Sequence, residues 1–256
     1  MKNRLLRVEQ LTEGDRDAMY ELLSRHFETV NRSQFEQDLQ QKNWVILLED
    51  AITTMLAGFT TLLMYETTFA DDKFSVVYSG DTIVDPKAWS SSILARSWLA
   101  AVKKLRYLYP EGKLYWLLIS SGYRTYRFLP VFSREFYPRY DVVTPPNVQQ
   151  FMNFLAQGRF GDHYDVTTGI VKFSHPQVLR SPLRVVPTER LQDPHVCFFE
   201  QCNPGHVQGD ELVCLTEICE ENLTRAGLRL WYADQNKNSS GLPLLDGEGW
   251  GAGVRE

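Results

Sequence analysis

Apolar residues recur at helical spacing between Met19 and Phe27, with Met19, Leu22, Leu23 and Phe27 in phase; the stretch "EGDRDAMYELLSRHFETV" therefore predicts an amphipathic helix. A second helix, "SQFEQDLQQK", is predicted after a cap between Asn31 and Ser33, with Glu36 completing a capping-box pattern. The period then drops to two. "NWVILLED", "MLAGFTTLLMYETTF" and "FSVVYSGDTIV" read as three strands joined by the turns at Glu49-Asp50-Ala51 and Ala70-Asp71-Asp72-Lys73, an antiparallel meander. Asp85-Pro86 stops the third strand, because proline brings no N–H to a ladder.

After that stop the helical period returns. Ser90-Ser91-Ser92 offers hydroxyls to cap a helix whose stripe is Ile93, Leu94, Trp98, Leu99 and Val102. "KLYWLLIS" follows Gly112 as a nearly all-apolar run, the signature of a strand covered on both faces. Strand, helix and buried strand in this order form a right-handed βαβ unit, so the sheet is expected to be mixed and mostly antiparallel. Further on, "YRTYRFLPVF" starts helical and breaks at Pro130, "NVQQFMNFLAQ" is an amphipathic helix, and "VTTGIVKF" is a strand. "HVCFFEQCNPGHVQGDELVCLTEIC" reads as a C-terminal β-hairpin, and "EENLTRAGLRLW" as a last helix. From Ala233 the chain turns to Asn, Ser, Gly and Asp, so the domain is placed at 1–232 and a mobile tail at 233–256.

Composition narrows the classes. The 256 residues are 43% hydrophobic and 23% charged with net charge -5, and no basic block is present, which sets a nucleic-acid partner aside. No apolar run reaches the ~18 residues of a membrane span, and the first fifteen residues lack a signal-peptide core; a cytoplasmic protein is expected. The four cysteines lie between Cys197 and Cys219. On the arms of a hairpin, Cys197 and Cys202 point to opposite faces, so four thiolates do not converge on one metal. Reduced thiols and no metal are expected, with cross-strand pairs the other option.

The order of elements resembles the GNAT superfamily of N-acyltransferases, and the residues that carry the likeness are "GFTTL", "SGDTIVDPKAWSSSIL" and "LYWLLISSGYRTYRFL". The resemblance covers about residues 4–140. It implies an α/β fold with a mixed, mostly antiparallel central sheet flanked by helices, an acyl thioester of coenzyme A or of a phosphopantetheine-bearing acyl carrier protein as donor, and an amine or peptide as acceptor. It also implies that the fourth strand and the following turn, here Ile83, Val84, Trp89, Ser90, Ser91, Ser92 and Ile93, hold the donor. The family's Arg/Gln-x-x-Gly-x-Gly/Ala turn becomes "KAWSSSI" in this chain: Trp89 stands near the arginine, and Ser90 and Ser92 near the glycines. Serine keeps the N–H donors but takes positive φ less freely. Pyrophosphate binding, binding of a carrier protein's phosphopantetheine, and simple helix capping all stay open for this turn.

Amide formation from a thioester needs a base for the ammonium and a donor for the departing thiolate. Asp81 is the candidate base, a charged residue in an otherwise neutral strand; hydrogen bonding at the Gly80 irregularity is the structural alternative. His206 is next, with Asp210 beside it, and His195 reads equally as a structural histidine. Tyr126, with Tyr123 three residues before it, is the candidate acid, and Arg124 and Arg127 are candidates for a phosphate or carboxylate. Aromatic residues are abundant between Phe128 and Tyr164. They either enlarge the core or line a groove for a medium or long acyl chain, and in this the chain looks similar to larger bacterial GNAT-like enzymes that place fatty acyl groups on amines, including Lys or ornithine side chains of ribosomal peptides. An acyl-homoserine-lactone-synthase-like enzyme and a non-catalytic thioester-binding protein are the other readings.

Overall fold

A computed structural model describes residues 1–86, 92–181 and 184–233. The chain runs β1 (Lys2–Arg7), α1 (Glu13–His26), β2 (Phe27–Glu28), α2 (Arg32–Gln40), β3 (Trp44–Glu49), β4 (Leu56–Phe69), β5 (Asp72–Val84), α3 (Ile93–Leu105), β6 (Lys113–Ser120), α4 (Tyr123–Tyr126), α5 (Phe128–Phe132), α6 (Pro146–Phe160), β7 (Tyr164–Asp165), β8 (Ile170–Val171), β9 (Val178–Leu179), α7 (Pro194–Cys202), β10 (Glu211–Glu217) and α8 (Arg225–Trp231). Eight strands form one sheet in the order β1-β3-β4-β5-β6-β10-β8-β7, and β2 pairs separately with β9. Every neighbouring pair is antiparallel except β5 with β6, whose connection is α3. The architecture is α/β, with helices on both faces of the mixed sheet.

Strand alternation explains the layering. Trp44, Ile46 and Leu48 of β3, Leu114, Trp116 and Leu118 of β6, and Leu212 and Cys214 of β10 face a cluster that includes Trp98 and Val102 of α3, Tyr126 of α4, Leu129 of α5 and Phe199 of α7. The intervening Val45 and Leu47 face Met19, Leu22, Phe35 and Leu39 of α1 and α2. Leu117, Ile119, Val213 and Leu215 face Phe151, Met152 and Leu155 of α6. Each strand residue thus has an apolar neighbour on one side or the other, which is why β3 and β6 are apolar almost throughout. Each fully buried side chain of this kind contributes about 1.5–3 kcal/mol.

Several expectations change. The segment 194–202, expected as the first hairpin arm, is helix α7. Asp193 caps it by accepting from the His195 amide, Pro194 occupies the first turn, and the buried pair Val196 and Phe199 is spaced by three. Only the second arm is a strand, β10, and its antiparallel partners are β6 and β8. Cys197 and Cys202 consequently lie on α7, Cys214 on β10 and Cys219 just beyond it, and all four are free thiols. Pro130 lies inside α5, the helical break falling at Arg127 between α4 and α5. Asn31, rather than Ser33, caps α2, accepting from the amides of Ser33 and Gln34. The tail from 234 onward lies outside the described residues, and no helix among the described residues is long and apolar enough to cross a membrane.

Ser79 ties the sheet to α3. Its Oγ accepts from the indole N–H of Trp98 at 3.1 Å and of Trp116 at 3.0 Å. All three side chains are buried. Ser79→Ala would leave two buried donors without an acceptor, each costing about 1–3 kcal/mol. A loss of about 2–6 kcal/mol is expected in urea unfolding; a midpoint equal to the wild type would show that the indoles find other acceptors.

Candidate functional site

The parallel pairing of β5 with β6 ends at Ser79 opposite Leu118. Beyond that point β5 continues to Val84 paired with β4, while β6 continues to Ser120 paired with β10. The two strands part there, and a cavity of about 810 Å³ occupies the opening. Its walls include Gly80 to Val84 of β5, Leu118 to Ser120 of β6, residues 121–125 of the following turn and helix, Lys42, Arg159 and Glu211.

An irregularity in β5 aims the polar groups. Leu62 pairs with Ser79 and Thr60 with Thr82, so Gly80 and Asp81 together oppose the single residue Thr61, a β-bulge. A Cβ at position 80 would come within 2.4 Å of Lys42 Cε and 2.5 Å of Thr61 Oγ1. Glycine there is what lets the Lys42 side chain lie against the strand. Lys42, which follows α2, is 9% exposed, and its ammonium donates to the Asp38 carbonyl at 2.9 Å. It stands 5.5 Å from the centre of the Tyr78 ring, and the Arg159 guanidinium carbon stands 5.2 Å from the same ring.

Three charged groups in this cavity are displaced from their ordinary ionisation. Burial raises the Asp81 pKa, offset by Lys42 and reinforced by Asp38. Burial lowers that of Lys42, opposed by Asp81. Glu211, the first residue of β10, is pushed up to about 8 by burial and by the negative charge of Asp81. A buried carboxyl raised further by the charge of a second one is the arrangement in which it keeps its proton near neutrality and can exchange it.

The residues singled out from the sequence fare differently. Asp81, Ile83 and Val84 line the cavity. Ile93 and Ser92 begin α3, whose residue Leu94 also borders the cavity. The Ser92 side chain makes no cap hydrogen bond, so the expected serine cap is not formed by it. Trp89, Ser90 and Ser91 lie outside the described residues.

Tyr126 does not line the cavity. It is fully buried, its hydroxyl donates to the Pro138 carbonyl at 3.0 Å, and its ring packs on Phe136, Phe198 and Phe199. Burial drives its pKa far up. The four-residue α4 turns Tyr126 into the core and leaves Tyr123 and Thr125 on the cavity side. His206 is likewise elsewhere: it sits on a single 3-10 turn, 7% exposed, against Phe199 and 3.8 Å from Glu200. Burial lowers its pKa, and it does not border the cavity. His195, in the first turn of α7, stacks edge-on against Tyr140. Of the aromatics between Phe128 and Tyr164, Phe128 and Phe160 reach the cavity, while Phe151 and Tyr164 belong to the core beneath α6.

Sequence reading passed over Lys42 and Glu211. Each is one charge at the edge of a strand, at Lys42-Asn43-Trp44 and at Asp210-Glu211-Leu212, a commonplace position. What joins them to Asp81 is the sheet: Trp44 of β3 registers through Leu62 with Ser79, just before the bulge, and antiparallel β10 begins opposite Ser120, where β6 ends.

A narrow apolar cleft of about 50 Å³ adjoins the cavity on the α3 side. Thr82, Leu94, Leu118, Thr125 and Phe128 border both spaces, and Trp98, Trp116, Phe132, Ile218 and Leu223 line the cleft beyond them.

No protein-family model matches the sequence, and no curated protein matches it. Solved structures align with part of the chain. A probable N-acyltransferase of Enterococcus faecalis aligns at 16% identity and TM-score 0.37, covering 53% of this chain and 33% of that one. A Trypanosoma brucei acetyltransferase aligns at 16% identity and TM-score 0.37 over 55% of this chain and 100% of that one. Glucosamine-6-phosphate N-acetyltransferase from Arabidopsis thaliana aligns at 13% identity and TM-score 0.33 over 45% of this chain and 82% of that one.

Proposed function

We propose that this chain is a GNAT-like N-acyltransferase that moves an acyl group, medium or long, from a coenzyme A or carrier-protein thioester to an amine. The observation that carries the reading is the parting of β5 from β6 after Ser79 and Leu118, which opens the sheet between the N-terminus of α3 and the Asp81, Lys42 and Glu211 group. A thioester laid in that opening meets strand backbone on one side and the carboxyl pair on the other. The first amides of α3 suit the phosphates of either donor.

In this reading Glu211, with Asp81 beside it, takes the proton of the incoming ammonium. The amine nitrogen bonds to the thioester carbon and the carbon–sulfur bond breaks; the thiolate takes a proton from a hydroxyl on the cavity wall, where Tyr123 and Thr125 stand, and that hydroxyl regains the proton that the nitrogen sheds as the amide forms. Asp81 keeps the role expected of it as part of the base, now shared with Glu211. Tyr123 takes the place of Tyr126.

Incubation with acyl thioesters, with and without amine acceptors, tests the proposal by mass spectrometry. Acylated amine together with released thiol is the expected result. Thioester bound but never consumed would favour the non-catalytic reading, a lactone made at the expense of adenosylmethionine the synthase-like one, and neither binding nor turnover with any thioester would remove acyl transfer altogether.

A further inference from the structure

The side of the cavity away from α3 presents charges of both signs. Lys42 and Arg159 flank the Tyr78 ring, at 5.5 and 5.2 Å from its centre. Lys42 spends one N–H on the Asp38 carbonyl, and Arg159 spends one Nη2–H on the Gln41 side chain at 2.8 Å. The Arg159 Nε is buried without a hydrogen-bond partner. Among the described residues, neither cation closes an ion pair with Asp81 or Glu211, although all four border the same space. Two cations near one ring, with donors unused in a half-desolvated cavity, are complementary to a carboxylate, which accepts from both. The carboxyl pair alongside is complementary to an ammonium.

We propose that this wall binds an acceptor of the amino-acid class, its carboxylate held by Lys42 and Arg159 and its amine directed at Asp81 and Glu211. The assignment of the amine end rests on the acyl-transfer reading; the carboxylate subsite does not. A donor phosphate is a poorer occupant, because in that reading the donor's phosphates lie at α3, on the opposite face of the sheet from α2 and α6.

The test is binding without donor. The protein is titrated with matched pairs that differ by the carboxylate, L-ornithine and putrescine, L-lysine and cadaverine, L-phenylalanine and phenethylamine, followed by ligand-detected NMR and calorimetry. At least one amino acid is expected to bind tenfold or more tightly than its decarboxylated partner. Lys42→Met and Arg159→Gln should each bring that ratio toward one without weakening the amine, and Lys42→Arg should keep it. If Lys42→Met fails to fold, Arg159→Gln carries the comparison. Equal affinity within every pair, a ratio that survives both substitutions, or no binding by any amino acid overturns the proposal. Thioester binding measured on the same samples keeps the two readings apart, since its absence would sink acyl transfer while leaving the carboxylate preference standing.

Discussion

Glu211→Gln is expected to lower turnover about 100-fold or more while leaving donor affinity unchanged. The magnitude is that of a lost general base, and the choice of residue follows from its position at the start of β10, facing Asp81 across the cavity. Because the Glu211 pKa is pushed up to about 8, its basic form grows in as pH rises through that value, so kcat/KM of the wild type should climb to a plateau above it. The Gln variant should lack this limb. Asp81→Asn should move the limb to lower pH, since the Asp81 charge is one of the two causes holding Glu211 up. Stability moves the other way. A carboxyl whose folded pKa is raised from 4.5 keeps its proton longer in the native state, so its contribution is fully present below about 4.5 and is lost as pH rises through about 8. Thermal melts should therefore show the wild type losing stability over that window and Glu211→Gln losing less. A variant with wild-type kcat at every pH would clear Glu211 of any role in proton transfer.

Octanoyl thioester is expected to outcompete acetyl thioester by more than a hundredfold for one amine acceptor. The basis is the apolar cleft that opens off the cavity past Leu94, Leu118 and Phe128. Octanoyl carries six methylenes more than acetyl; each one taken from water into such a lining contributes about 0.8 kcal/mol, so burying four of the six already gives about 3 kcal/mol, more than two decades of affinity. The cleft is short, about 50 Å³, and closes against Ser133, Thr216 and Leu223. Hexadecanoyl thioester should gain nothing over octanoyl, because overfilling a packed lining costs what burial contributes. Competition of the three donors, read by product mass, decides the matter; acetyl winning would mean that the cleft does not receive the acyl chain, and would leave the base assignment untouched.

Most of the sheet was legible in the sequence because its strands are long or continuously apolar. "KLYWLLIS" became β6 at its exact bounds, and the Asp85-Pro86 stop and the α3 stripe placed the βαβ unit. The failures have local causes. Val196, Cys197, Phe198 and Phe199 are strand-formers by type, and that preference outweighed the helix-start signal of Asp193-Pro194, although burial at Val196 and Phe199 is helical. The two-residue strands β2 and β9 owe their pairing to each other across the chain, so no pattern marks them, whereas β8 falls inside the expected strand "VTTGIVKF" and is shorter than it. In the site, Asp81 was visible as a charge within a neutral strand. Lys42 and Glu211 were not, because 39 residues and 130 residues separate them from it, and only the topology closes those distances.

The bulge in β5 has a bearing on the alternation of the strand itself. Before it, Val76 and Tyr78 look toward the α6 side of the sheet; after it, Ile83 looks to that same side, packed with Phe59 under α1 and α2. Even-numbered positions hand that face to an odd-numbered one, so the phase of the strand slips by one residue between Ser79 and Thr82. A ladder without the slip would need one residue fewer: with Gly80 removed, Asp81 would stand alone opposite Thr61, and Thr82, Ile83 and Val84 would keep the partners they have now. One of the thirteen residues of β5 is therefore surplus to the sheet. Its effect is confined to the place where Lys42 lies against the strand and Asp81 lines the cavity, so the departure from regular pairing falls at the wall of the site.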